Sequence, residues 1–187
     1  VFPLQAVLDW LIPQDSIAVE KVQLVWRDPG LFDVPMRLSD LSAKLVNEGL
    51  RHQLLLDAKL PMALGDSIQI AADLQGRGND VTQWRGTLYL NTSDLQLPAF
   101  RPLMMDSGVI AKGATNLELW VGLVNARPVW GSGNIAMQKP QVQNASADAQ
   151  GIEADSLSAR FHWREYEHRW RIGISDFELQ RDEQEVW

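Results

Sequence analysis

Two short phrases recur inside an alternating apolar and polar pattern, and they constrain the fold of this chain more than any other feature. The first is a Trp-Arg step closing an apolar lane: Val22, Leu24, Trp26-Arg27, then Trp84-Arg85, then Ala159, Phe161, Trp163-Arg164, and again Trp170-Arg171. The second is a Ser-Asp-apolar step, at Ser39-Asp40-Leu41, Ser93-Asp94-Leu95 and Ser175-Asp176-Phe177. With eight Trp and twelve Arg in 187 residues, chance supplies fewer than one Trp-Arg step, and four are present. A strand grammar reused in this way predicts an array of similar hairpins, and such arrays present one long surface instead of one pocket. The spacing is unequal, Trp26 to Trp84 being shorter than Trp84 to Trp163, so there is no strict solenoid period.

The pattern begins with helical spacing. Leu4, Leu8, Leu11 and Ile12, with Pro3 near the first turn and Pro13 as a stop, predict a short amphipathic helix over 1–13. From 14 to 187 the period is two. Ile17 and Val19 slip into Val22, Leu24 and Trp26 at Glu20-Lys21, and Met36 and Leu38 slip into Leu41, Ala43 and Leu45 at Ser39-Asp40; each slip is what a β-bulge produces. Further lanes run through Leu54 to Leu60, Ile68 to Leu74, Trp84 to Leu90, Leu117 to Leu123, Ile135 with Met137, Leu157 to Trp163, and Trp170 to Ile174 slipping to Phe177 and Leu179. Pro98–Met105 is the one interior stretch with the composition of a second short helix. The short connections make sequential antiparallel pairing of about ten or eleven strands the expected topology. The final residues, Gln184 to Trp187, read as the start of another strand, which predicts a section of a longer protein.

An antiparallel sheet with one apolar side must cover that side. Two short helices cannot cover ten strands. The expected architecture is therefore mainly β: a long curved antiparallel sheet, an open trough, with one or two short helices, its concave face lined by Val22, Leu24, Trp26, Leu54, Leu56, Ile68, Ile70, Leu88, Leu90, Leu117, Leu119, Phe161, Trp163, Ile172 and Ile174.

Charge and composition remove several functional classes. A net charge of −7 and a pI near 4.9 argue against nucleic acid and against electrostatic adhesion to anionic lipid, both of which need clustered Lys and Arg. The absence of Cys excludes disulfides, thiolate catalysis and Cys-based metal sites. No apolar run approaches a membrane span. The sharper motifs resolve into bland readings. Gly131-Ser-Gly-Asn-Ile-Ala136 matches a dinucleotide fingerprint in form, but the β-like run Ile135–Val142 and Pro140 leave no helix to receive a pyrophosphate, so it reads as a glycine-rich hairpin turn. His52, His162 and His168 fit no metal-ligand spacing and read as strand-end residues, so no metal and no cofactor is expected. Glu153 with Asp155, and Asp182, Glu183 and Glu185, are sequence neighbours and not acids set across a cleft, which leaves hydrolysis the weakest reading and no residue assigned to catalysis. The Trp residues read as groove or core lining, with stacking on sugar rings as the alternative.

From Val22 onward the chain resembles the periplasmic AsmA-like proteins of the YhdP type, within the bridge-like lipid transfer, TamB-related superfamily. The resemblance is carried by Val22-Gln-Leu-Val-Trp26-Arg-Asp28, Pro35-Met-Arg-Leu-Ser-Asp-Leu41, Asn47-Glu-Gly-Leu-Arg-His52, Leu60-Pro61, Trp84-Arg-Gly-Thr-Leu-Tyr89 and Ser175-Asp-Phe-Glu-Leu179, with Asn47–His52 its most specific part. It implies a non-enzymatic section of an inner-membrane-anchored periplasmic protein that carries phospholipid toward the outer membrane along a hydrophobic groove. The implied partners are phospholipid acyl chains, and the two membranes through parts of the protein outside this chain. The alternative is a carbohydrate-binding or envelope protein-interaction β module.

Overall fold

In the computed structural model, which describes residues 4–27, 36–77, 80–100, 109–144, 151–167, 169–181 and 184–185, the alternating lanes are strands of a single antiparallel sheet. Nine are long: β1 (Ser16–Trp26), β2 (Met36–Glu48), β3 (Arg51–Lys59), β4 (Ser67–Gln75), β5 (Arg85–Gln96), β6 (Val109–Val124), β7 (Arg127–Asn144), β9 (Ser156–Tyr166) and β10 (Arg169–Arg181). Two are two-residue strands, β8 (Ile152–Glu153) on β7 and β11 (Gln184–Glu185) on β10. The nine long strands are neighbours in space in the order in which they follow in sequence, and the sheet stays open. One helix, α1 (Leu4–Leu11), precedes it, and 3-10 turns lie at Val81–Gln83 and Leu97–Phe100. The second expected helix is therefore a 3-10 turn as far as residue 100; the remainder of Pro98–Met105 lies outside the described residues.

Every Ser-Asp step is a bulge. Asp40, Asp94 and Asp176 have φ near 50°, the left-handed conformation that short polar residues tolerate, and the register slips at each of them. Lys21 in β1 and Lys139 in β7 do the same, each against a two-residue step in the adjacent strand. Polar side chains on neighbouring strands satisfy the displaced backbone: Lys21 N–H donates to Ser42 Oγ at 3.2 Å and Asp94 N–H to Asn116 Oδ1 at 2.8 Å. Between these strands, loops continue the same line, with Asp66 N–H donating to Ser93 O, Lys139 N–H to Asp155 O and Asp155 N–H to Gln180 O. The sheet is creased along one line that crosses β1, β2, β5, β6, β7 and β10 and passes the ends of β3, β4 and β9.

The direction of the crease follows from burial. Leu41, Ala58, Thr92, Thr115 and Met137 lie along it on the apolar side and are buried, whereas Asp40, Lys59, Asp94, Lys139 and Asp176 lie along it on the other side and are exposed. The apolar side is concave. Leu38, Leu41 and Ala58 form the packed centre, with Met36, Ala43, Leu56, Leu60 and Ile68 against it. Little else is sealed from water. The accessible surface is 13268 Å² for 21.1 kDa, where a compact protein of that mass exposes about 9,000 Å².

The bulge geometry makes a specific demand on side-chain shape. Asp94→Gly should fold with unchanged or slightly higher stability, whereas Asp94→Val, β-branched at φ 52°, should lose about 1–2 kcal/mol in denaturant unfolding. Equal stabilities for the two variants would show that Asp94 does not hold this conformation.

Candidate functional site

The register carries the apolar lanes across the strands without a break. One row runs through successive partners Val19, Ala43, Leu56, Ile70, Leu90, Leu119, Gly133, Phe161 and Ile174. A second runs through Ile17, Leu45, Leu54, Ala72, Leu88, Val121, Gly131, Trp163 and Ile172 in the same way. Nearer the crease, Ala58, Ile68, Thr92, Leu117, Ile135 and Ala159 form a third. With strands about 4.8 Å apart, nine strands extend these rows over roughly 38 Å.

The register thus puts the expected lining residues other than Trp26 on one face. Leu54, Leu56, Ile68, Ile70, Leu88, Leu90, Leu117, Leu119, Phe161 and Trp163 are half-buried in the middle of the sheet, while Val22, Leu24, Ile172 and Ile174 are exposed toward its two sides. Trp26 pairs with Met36 in the register. Exposure climbs to 70% at Ile172 and 65% at Ile174, so the face is open there, and among the described residues no second layer covers it.

Two glycines that the sequence assigns to a hairpin turn stand in mid-strand. Gly131 and Gly133 belong to β7, and the turn is at Asn125-Ala126. A Cβ on Gly131 would lie 2.2 Å from the Trp163 ring, and one on Gly133 would lie 3.0 Å from Phe161 Cζ. The glycines are seats that let two parallel rings, 6.0 Å apart, lie flat on the sheet. The lane keeps its width where aliphatic side chains give way to aromatic ones.

At the rim above the second row, Asn47, His52, Gly76 and Trp84 form a cluster that the sequence does not assemble. Asn47 Nδ2 donates to Leu11 O at 3.0 Å and Gln14 O at 2.6 Å, tying the end of α1 to β2. Its Oδ1 is 2.8 Å from His52 Nδ1, and His52 Nε2 is 3.3 Å from Gly76 O. The buried Trp84 ring stacks on His52 at 4.5 Å and covers Gly76. His52 is thus a buried structural residue at the lane's edge, and Asn47 and His52 bound the phrase that carries the family resemblance most specifically. His162 lies on the opposite face, over Gly173. His168 lies outside the described residues.

The convex face is polar and cross-linked directly behind the first row. Gln69 donates to Asp57, Tyr89 and Asn134 donate to Glu118, and Arg160 donates to Asn134, at 2.9 to 3.3 Å. The bulge carboxylates join in, Asp40 pairing with Lys59 at 2.8 Å and Asp176 with Arg160 at 3.2 Å. The Lys59 ammonium holds the Asp40 carboxyl below the usual carboxylate range, and Arg51 does the same for Asp73 at 2.6 Å. Partial burial, aided by Glu118, pushes the Tyr89 phenol up. A shallow depression of about 430 Å³ lies on this side, with Leu55, Ala71, Tyr89 and Trp120 in its lining. Glu153, in contact with Gln141 at 2.6 Å, is part of this hydrogen-bonded surface.

Among the described residues there is no group of His, Asp and Glu able to hold a metal, and no helix is long and apolar enough to cross a membrane. A profile described as YhdP protein matches residues 3–187. No curated protein and no solved structure matches the chain.

Proposed function

The chain belongs to the YhdP family, an envelope-associated, transport-type family related to lipid transport, and from that premise we propose that its creased sheet is a lipid-binding section of a protein that carries phospholipid through the periplasm toward the outer membrane. Residues beyond this chain anchor that protein in the inner membrane. The observation that carries the reading is the row from Val19 to Ile174, apolar or glycine at each register step across nine strands and with no second layer over it among the described residues.

The physical basis is burial. An acyl chain gains about 0.8 kcal/mol per CH₂ removed from water, so roughly sixteen carbons laid along the rows gain on the order of 12 kcal/mol. Apolar contact is not directional, so a chain can slide from one register step to the next while the polar headgroup stays at the solvated opening. No residue performs chemistry, and direction comes from outside this section. A sugar-stacking role is less well supported, since Trp84 is sealed in the rim and Trp163 lies flat over Gly131 within the apolar rows.

Native mass spectrometry of the purified chain tests the reading. Adducts with the mass of a diacyl phospholipid, removed by collisional activation, are the expected result; a chain that stays free of adduct after incubation with excess phospholipid would count against it.

A further inference from the structure

The hairpin of β9 and β10 concentrates cations at the rim of the lane in a chain whose net charge is −7. The register sets Arg164 directly opposite Arg171 and Tyr166 opposite Arg169. Alternation puts these four on the convex side, away from Trp163 and Ile172, and all four are exposed. Like charges directly opposite on adjacent strands destabilise a sheet, and among the described residues no ion pair joins Arg164, Arg169 or Arg171 to a carboxylate. Arg160, on the same strand as Arg164, is matched by Asp176 at 3.2 Å. The Arg171 guanidinium stands 5.8 Å from the Tyr166 ring centroid, and a depression of about 370 Å³ opens among Tyr166, Glu167, Arg169, Trp170 and Arg171.

We propose that Arg164, Arg169 and Arg171 form a phosphate site for the headgroup of a phospholipid that folds over the Tyr166–Arg169 end of the hairpin, where the depression joins the two faces, its acyl chains running back along Trp163, Ile172 and Ile174 on the concave face. The inference rests on the acyl-lane reading above. Guanidinium forks match phosphate oxygens two at a time, and a phosphate between Arg164 and Arg171 removes the repulsion that the bare pair carries. Tyr166 at the tip and the half-exposed Trp170 have an apolar body and a polar end, the ring type that settles where hydrocarbon meets water. Glu167 in the turn lines the same depression and biases it toward a headgroup that brings a cation or hydroxyl beside its phosphate.

Equilibrium binding of the full chain to dioleoyl phosphatidylglycerol and to dioleoylglycerol, which has the same acyl chains and no phosphate, tests the site. The wild-type chain is expected to prefer phosphatidylglycerol by about tenfold. Arg164→Gln with Arg171→Gln should abolish that preference and leave dioleoylglycerol binding unchanged, while Arg37→Gln with Arg160→Gln, an equal loss of charge, should keep it. If the first pair still prefers phosphatidylglycerol, or both pairs lose the preference alike, the phosphate site is overturned and the lane stands. If the wild-type chain binds neither lipid, the lane itself is overturned. Binding of a hexaglutamate peptide that needs Arg164 and Arg171, with the two lipids bound equally, would assign the patch to an acidic protein segment and overturn the headgroup assignment.

Discussion

Trp84→Ala is expected to destabilise the sheet by about 3–5 kcal/mol, the largest loss of any single truncation at the rim. Trp84 is one of the few large side chains that this open fold seals from water, at 6% exposure, and its ring fills the space between His52 and the Gly76 backbone. Its Nε1 has no hydrogen-bond partner among the described residues, and the contribution is that of packing. A Cβ added to Gly76 would fall 1.8 Å from Trp84 Cδ1, so Gly76→Val should cost about 1–3 kcal/mol by overpacking. The two losses should not add. Valine occupies the volume that the indole vacates, and Gly76→Val with Trp84→Ala should be at least about 1 kcal/mol more stable than the sum predicts. Additive losses in urea unfolding would show that Trp84 and Gly76 do not share the packing described.

The second large effect concerns the lane. Ile70→Asp or Leu119→Asp puts a carboxylate in the middle of the row, between Leu56 and Leu90 in one case and between Leu90 and Gly133 in the other. A charge facing hydrocarbon costs about 2.5–3.5 kcal/mol, so phospholipid transfer between vesicles by the protein containing this section should fall about 100-fold. Both positions are half-buried, not sealed, and the variants should fold. Ser132→Asp, on the convex side, should leave transfer unchanged. A folded Ile70→Asp protein that transfers lipid at the unaltered rate would contradict a continuous lane.

The crease was legible in the sequence because its chemistry is local. A left-handed residue inside a strand favours a short polar side chain, and a bulge shifts the apolar phase by one, so Asp40, Asp94 and Asp176 carry both signals at once. Lys21 shows the phase slip without the favoured residue type. Lys139 shows neither, since Pro140 follows it and the apolar pattern of β7 is thin there. The expectation that the tryptophans line the groove is a partial guide. Trp163 lies on the concave face with Arg164 behind it, as expected, yet Trp120 and Trp130 stand on the convex face, where Trp120 packs on Tyr89 at 4.8 Å and Trp130 covers Gly122.

Relations between strands were harder to see. Gly131 and Gly133 resemble a turn to any local reading, because the reason for them is two rings on another strand, about thirty residues away. The Asn47, His52 and Trp84 cluster is hidden in the same way. Its members meet only when α1, β2, β3 and the residue before β5 converge on one rim. The arginine patch is hidden in the net charge, which averages over the chain, whereas Arg164, Arg169 and Arg171 gather on one hairpin.

Site-specific photocrosslinking in cells tests the lipid lane most directly. A photoreactive residue at Leu56, Ile70 or Leu119 faces the trough, and one at Leu55, Gln69 or Glu118 faces the convex side of the same strands. Leu55 is the stringent control, being apolar and 56% exposed. The account predicts phospholipid adducts at the three trough positions and none above background at the three controls. Equal labelling of both faces, or no phospholipid at Leu56, Ile70 and Leu119, would contradict it.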